Sequence, residues 1–151
     1  MGKSYEIGRK IAASARRGTA LIETALVLPL LLFVAFGVIG VGRVTRAQMA
    51  IDAVTREAAR SAALASDPQS ALNQGLARAQ AVASEDGLAS SSLRLVLDVG
   101  QFVRGGQVEA SASYPVTFGD LPLLSWARVT VTSVHVEPID PYRSRWTGSG
   151  S

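Results

Sequence analysis

A single carboxylate stands at the edge of a long uncharged segment near the amino terminus. Glu23 precedes residues 24–42, a run of 19 residues without any charge, and a basic leader ends at Gly18, five residues before it. An acid in this position is costly unless a cation neutralises it, so it is a candidate functional residue. The spacing indicates the pairing of a carboxylate with a cation in apolar surroundings. The alternative is an acid that rests among lipid headgroups at a helix amino terminus.

This arrangement resembles the processing site of prepilins in the type IV filament superfamily. In that family a membrane-embedded aspartyl peptidase cuts after a glycine, and the fifth residue of the mature chain is glutamate. The resemblance implies cleavage between Gly18 and Thr19. The new amine of Thr19 would then neutralise Glu23 of a neighbouring subunit and favour one register of assembly.

One long helix, residues 19–65, is predicted to position these groups. As a helix, residues 24–42 span roughly 28 Å, close to the roughly 30 Å hydrocarbon core of a bilayer. Pro29 removes one backbone hydrogen bond within this run, which predicts a kink. Beyond the run, small and apolar residues recur every three or four positions and continue the helix. They are Val44, Ala47, Ile51, Val54, Ala58, Ala62 and Ala65. This stripe suits either bundling in a filament core or packing on the chain's own carboxy-terminal domain.

The charge distribution assigns the basic residues to the membrane flank. The leader, residues 1–18, has five basic residues and one acid, whereas the remainder has ten basic and eleven acidic residues. The net charge of +3 therefore comes from the leader, and we predict no nucleic-acid partner. A basic leader favours a cytoplasmic amino terminus, although Arg43 and Arg46 soon follow the apolar run. The glycine–glutamate spacing supports the same orientation, because prepilin peptidases act on the cytoplasmic face. We expect a single pass through the cytoplasmic membrane, an extracytoplasmic domain and an extracellular location in any assembled pilus.

Two other interpretations of the apolar run are open. An uncleaved signal anchor explains the charge and the apolar length, but it gives no reason for Gly18 or Glu23. A conventional secretory signal needs a shorter apolar core and a small-x-small cleavage site. The nearest such site, at residues 47–50, is imperfect and lies beyond two arginines.

Residues 66–137 are predicted to form a small α+β domain. Asp67 and Pro68 are typical of a helix start and Gly87 of a helix end. The apolar side of this helix consists of Leu72, Leu76, Ala79 and Ala83. Alternating or β-branched residues then predict strands near residues 93–99, 107–114 and 129–137, with a turn at Gly105 and Gly106. The fold expected is a long membrane helix, a short helix and a small, mainly antiparallel sheet.

Three further features of this domain carry expectations. The alternation of the third strand shifts near Thr132, which indicates a bulge. Residues 115–127 are unusually apolar for a loop, and we expect them to fold over the sheet, the alternative being contact with a partner. Residues 138–151 are predicted to be a disordered tail.

Few residues suit catalysis or metal binding. The chain has no cysteine, and His135 is its one histidine, so a structural zinc site lacks ligands. We expect His135 to face solvent from a strand. Glu85 and Asp86 adjoin the predicted helix end and are typical of a solvated terminus. We therefore predict no enzymatic activity, cofactor, metal or small-molecule substrate.

Residues 17–63 resemble the TadE-like family, minor pseudopilins of tight-adherence pilus systems. Similar features are Gly18, Glu23, the Leu-Pro-Leu-Leu run around Pro29, and the block of residues 57–60, Glu-Ala-Ala-Arg. The resemblance implies a structural role in initiating, joining or capping a pilus. Implied partners are a prepilin peptidase, other pilins and an inner-membrane assembly platform driven by a separate ATPase. Thr24 departs from the aromatic residue that major pilins place after the glutamate, which favours a minor subunit.

Overall fold

The computed structural model describes residues 3–122 and 124–141, and of residues 3–21 only the backbone. Two helices come first, α1 (Lys3–Ala63) and α2 (Pro68–Glu85). Three strands follow, β1 (Arg94–Asp98), β2 (Gln107–Thr117) and β3 (Arg128–Pro138). A long helix, a short helix and a small sheet in this order confirm the predicted α+β class.

The first helix has two dissimilar halves. α1 contains 61 residues, which is about 92 Å at 1.5 Å per residue. It begins at Lys3 and so includes the leader as well as the segment predicted from residue 19. Side chains of residues 22–35 are all exposed, whereas one face is buried from Ala47 onward. Only the second half therefore has one buried face and one exposed face, as a helix of a globular domain has.

The second half of α1 forms the core together with α2 and the sheet. Ile51, Val54, Ala58 and Ala62 of the predicted stripe are fully buried. They pack against residues of α2 and the inner face of the sheet, such as Ala79 and Ala110. Of the two interpretations of the stripe, the structure shows packing on the chain's own domain. The folded unit thus starts within α1, before residue 66.

The ends of α2 follow from its capping residues. Asp67 Oδ1 accepts a hydrogen bond of 2.9 Å from the backbone N–H of Ser70, and Pro68 opens the helix. Asp86 caps the other end, and Gly87 follows with φ of 73°. This left-handed conformation strongly favours glycine, which confirms the predicted stop.

The buried face of α2 is made of smaller residues than the pattern predicted. Ala71, Gly75, Ala79 and Ala83 are buried, whereas Leu76 is 38% exposed. At Gly75 an added Cβ would lie 3.1 Å from the backbone oxygen of Ala58. The two helix backbones approach too closely there for larger side chains, and the leucines are displaced to the margins.

The sheet is antiparallel in the order β1-β2-β3. Val108, Ala110 and Ala112 of the central strand face the helices and are buried. Pairing of β2 with β3 is unbroken from Gln107 opposite Pro138 to Thr117 opposite Arg128, so the predicted bulge near Thr132 is wrong. Because the alternation is not reset, Val134 and Val136 lie on the outer face and are exposed.

Order continues past the predicted end of the domain at residue 137. Ile139 is buried, and its N–H donates a 2.8 Å hydrogen bond to the carbonyl of Gly106. This hydrogen bond connects the chain after β3 to the β1–β2 connection. Gly105 in that connection has φ of 74°, which confirms the predicted turn. The rest of the predicted tail, residues 142–151, lies outside the described residues.

Candidate functional site: the membrane segment and its processing junction

The three residues of the predicted processing and pairing site all lie on α1. Helical spacing places positions 19 and 23 one turn apart on the same face. The structure describes the backbone of Gly18 and Thr19, and it places Glu23 on the exposed surface of the helix. Pairing of Glu23 with the amine of Thr19 on a neighbouring chain stays a prediction.

The backbone is helical at the predicted junction. α1 passes through Gly18 without a break. Glycine within a helix is less favourable than alanine by about 1 kcal/mol, so it weakens the helix at this point. A helix weakened at this point opens locally at lower cost.

Pro29 lies inside α1, which continues on both sides of it. Proline has no N–H, so the carbonyl of Ala25 lacks its usual helical donor. Membrane helices tolerate such a residue because neighbouring groups satisfy the freed carbonyl. The kink predicted at this residue stays a prediction.

The apolar surface of α1 fits a membrane. Among the residues that the structure describes, one helix is long and apolar enough to cross a bilayer, and its apolar stretch is almost wholly unburied. Leu26, Val38 and Val41 are each about two-thirds exposed or more. A helix in the core of a globular protein would bury such side chains. The exposure therefore fits a single-pass membrane segment.

Arg43, the first charged residue after the apolar run, forms an ion pair with the connection between β2 and β3. The guanidinium of Arg43 donates hydrogen bonds to both carboxylate oxygens of Asp120, the fork geometry that favours arginine–carboxylate pairs. This bonding lowers the pKa of Asp120 from its ordinary value. Sequence patterns did not predict this ion pair. A signal existed nonetheless, because Asp120 is the one acid in residues 115–127.

The same connection packs against the end of the apolar run. Phe118 and Leu121 are buried, which confirms the expected burial for these two residues. A Cβ added at Gly40 would lie 3.6 Å from both Phe118 and Leu124, so the connection contacts α1 as well as the sheet. Trp126 departs from the expectation, being 84% exposed.

The block of residues 57–60 joins the two helices. Ala58 and Ala59 are fully buried in the core, whereas Arg60 is exposed. Glu57 accepts a hydrogen bond of 3.2 Å from Nε of Arg78 on α2. Both side chains of this pair are partly exposed, so its contribution to stability is small. The block therefore positions α2 through its alanines.

The residues considered for catalysis lie apart from the membrane segment. His135 is half-buried on the helix-facing side of β3, with Nε2 3.4 Å from Oε2 of Glu137. It therefore does not project from the outer face as expected. Glu85 and Asp86 are exposed at the end of α2. Within residues 22–122 and 124–141, whose side chains the structure describes, no group of three or more potential ligands lies close enough together to hold a metal ion.

Comparison with known families gives one match. The family described as TadE-like protein matches residues 18–60. Searches of curated proteins and of solved structures gave no significant match. The matched segment contains Gly18, Glu23 and Pro29 and ends at Arg60 of the helix-joining block. This match confirms the resemblance over residues 18–60 and supports an association with tight-adherence pili.

Proposed function

We propose that this chain is a minor pilin-like subunit of a tight-adherence pilus, with a structural role in initiating, joining or capping the filament. A prepilin peptidase would cleave it between Gly18 and Thr19. The observation that carries the proposal is the start of the family match at residue 18, the glycine of the predicted junction. The shared segment therefore begins at the last residue of the leader, directly before the residue at which the mature chain would begin.

Cleavage would create the partner that Glu23 needs. The mature helix would start with the amine of Thr19, and an incoming subunit would bring this amine to Glu23 of its neighbour. An unpaired charge buried among apolar helices costs several kcal/mol, so the register that pairs the two groups is favoured. The exposed apolar surface of residues 22–35 supplies the remaining contacts between subunits, once the helix leaves the lipid.

The proposed topology places the leader in the cytoplasm and the α+β domain on the other side of the membrane. Five basic residues in the leader favour this orientation. The partners are a prepilin peptidase, other pilins and an inner-membrane assembly platform. We assign no catalytic activity, because the work proposed consists of packing and charge pairing.

Analysis of the mature amino terminus tests the proposal. Mass spectrometry of protein extracted from membranes of the producing cells is expected to find a chain that begins at Thr19. Gly18→Leu is expected to abolish cleavage without preventing membrane insertion, because the bulky side chain blocks the junction. Gly8→Leu is the matched control within the leader, and it is expected to be cleaved normally. A wild-type chain that keeps its leader while pili still form would contradict the proposal.

A second candidate is an uncleaved, signal-anchored envelope protein whose exported domain binds a partner. It is favoured by the continuity of α1 through Gly18 and by the packing of the stripe on the chain's own domain. The two candidates differ in the same measurement. An uncleaved anchor predicts that the leader stays intact and that wild type and Gly18→Leu begin at the same residue.

A further inference from the structure

We propose that the connection between β2 and β3, residues 118–122 and 124–127, lies in the headgroup layer of the membrane that α1 spans, with Trp126 as its anchor. We call these residues the interfacial loop. This proposal rests on α1 crossing a bilayer, and it adds a second membrane contact made by the folded domain itself. The bilayer would thereby orient the domain as well as retain it.

The position of the interfacial loop along α1 is the first argument. Asp120 is held by Arg43, the residue that directly follows the uncharged run. Phe118 and Leu124 contact the helix at Gly40, within that run. At 1.5 Å per residue, Gly40 lies about 4.5 Å deeper in the membrane than Arg43. A loop that contacts the helix at this depth cannot stay clear of the headgroup layer.

The chemistry of the loop surface is the second argument. Trp126 is 84% exposed, the highest value among the exposed large apolar side chains of the described residues. An apolar notch of about 360 Å³ is lined by Gly37, Val41 and Ala127, the residue that follows Trp126, among others. Gly37 and Val41 belong to the apolar run, so the notch continues the lipid-facing surface of α1. Tryptophan is enriched at membrane interfaces, where its ring is apolar and its N–H meets water.

The backbone of the loop is the third argument. Three successive backbone hydrogen bonds close turns in the loop. The N–H of Leu121 donates to the carbonyl of Phe118, the N–H of Leu124 to the carbonyl of Leu121, and the N–H of Ala127 to the carbonyl of Leu124. Their donor–acceptor distances are 2.9, 3.0 and 2.9 Å. Non-helical backbone near hydrocarbon is tolerated when its polar groups find partners within the protein. Pro122 has no N–H to satisfy.

Charged groups at the loop also suit a headgroup layer. Asp120 is neutralised by Arg43, so the acid enters the interface as part of an ion pair. Arg128, which follows the loop, is exposed at the start of β3. Arginine side chains extend toward lipid phosphates while their aliphatic part stays in apolar surroundings. The loop is therefore apolar where it contacts the run and basic at its margin.

Depth-dependent quenching of tryptophan fluorescence tests the proposal. The full chain with Trp146→Phe retains Trp126 alone and is reconstituted in phosphatidylcholine–phosphatidylglycerol vesicles. Bromines are placed on the acyl chains either near the headgroup or near the chain end. We expect a blue-shifted emission from Trp126 and a several-fold stronger quenching by the shallow bromines than by the deep ones.

Two reporters in a Trp126→Phe/Trp146→Phe background provide the controls. Phe33→Trp marks the middle of the uncharged run and is expected to be quenched by the deep bromines. Val134→Trp lies on the outer face of the sheet, and its neighbour Ser133 points to the opposite face and contacts Thr55 of α1. Thr55 is about 18 Å beyond Arg43 along the helix, so this reporter is expected to emit as in water and to escape quenching.

The reporters separate the possible failures. If Phe33→Trp is quenched while Trp126 emits like Val134→Trp, the loop lies in water and the proposal is overturned, although α1 still spans the bilayer. If neither Phe33→Trp nor Trp126 is quenched, the membrane assignment of α1 fails and the proposal fails with it. Quenching of Trp126 by shallow bromines supports it.

Discussion

In the proposed function, the charge of Glu23 determines whether subunits assemble. It is exposed on α1 and followed by the uncharged run. In Glu23→Gln and Glu23→Leu, the amine of an incoming Thr19 would be buried without its counter-ion. Because that cost is several kcal/mol, we expect incorporation into filaments to fall at least about tenfold. Quantitative immunoblotting of sheared pili and of membranes measures the two pools.

Glu6→Gln is the matched control for this loss. Glu6 lies in the leader and would be absent from the mature chain, so its replacement is expected to leave assembly unchanged. Membrane levels should be equal in all variants, because insertion does not require the carboxylate. Normal incorporation of Glu23→Leu would contradict the pairing of Glu23 with an amine.

Gly75 is the residue at which packing is tightest between the helices. A Cβ there would lie 2.5 Å from Cδ2 of Leu97, and 3.1 Å from both the backbone oxygen of Ala58 and the Cβ of Ala62. We expect Gly75→Ala to destabilise the protein by about 1–3 kcal/mol, because the backbone of α1 cannot yield as a flexible side chain can. Gln74→Ala, at the exposed neighbouring position, is the control and should be nearly neutral. Thermal unfolding in detergent micelles, followed by circular dichroism, measures both; an unchanged midpoint in Gly75→Ala would contradict the close approach.

At the scale of elements, a buried hydroxyl pair joins α1 to β3. Thr55 is fully buried, and its Oγ1 lies 3.0 Å from Oγ of Ser133. Thr55 Oγ1 also donates to the carbonyl of Ile51 at 3.1 Å. A double-mutant cycle with Thr55→Val and Ser133→Ala should give a coupling energy of about 0.5–1.5 kcal/mol, the usual net contribution of one hydrogen bond. Strictly additive single-mutant effects would show that the two hydroxyls do not interact.

The amino-terminal cap of α2 makes stability depend on pH. Hydrogen bonds from the backbone N–H and the hydroxyl of Ser70 lower the pKa of Asp67 from its ordinary 3.8. A lowered folded-state pKa means that the stabilisation is complete above the ordinary value and is lost as pH falls through the lowered one. We therefore expect the unfolding midpoint of the wild type to drop in this acidic window.

Asp67→Asn is the control for this pH dependence. Asparagine caps a helix about as well as aspartate but does not titrate, so the variant should match the wild type near neutral pH. It should lose less stability on acidification. Part of the acid sensitivity remains, because the pKa of Asp120 is lowered too. Equal acid sensitivity of the two proteins would contradict the contribution of the Asp67 carboxylate.

At the scale of the whole molecule, the membrane half and the folded half of α1 meet near Arg43. Core residues of the folded unit run from Ala47 to Ile139. A fragment that starts at residue 43 is therefore expected to fold without the membrane segment. A fragment that starts at residue 66 lacks Ile51 and Val54, which are fully buried, and is expected not to fold. Circular dichroism and cooperative melting distinguish the outcomes, and a folded short fragment would contradict the role of α1 in the core.

Local patterns were sufficient for much of this architecture. The uncharged run, the cap at Asp67, the stop at Gly87 and the three strands were all predicted from residue type and spacing. These features depend on interactions within a few residues, such as the bond from Ser70 to Asp67. The candidate site was predicted from the family resemblance, and its residues Gly18, Thr19 and Glu23 lie within six positions of one another.

Long-range contacts decided the rest. The smaller face of α2 is buried because Gly75 meets the backbone of α1. Val134 faces outward because β3 keeps an unbroken register with β2, although its own sequence suggested a bulge.

The sequence by itself determined a long apolar helix and a small α+β domain, since charge and periodicity act along the chain, whereas the processing junction is a prediction from the family resemblance. Only the tertiary structure joined Arg43 to Asp120, 77 residues away, and so brought the interfacial loop to the end of the apolar run. No local pattern encodes that meeting, because it depends on how α1, α2 and the sheet pack together.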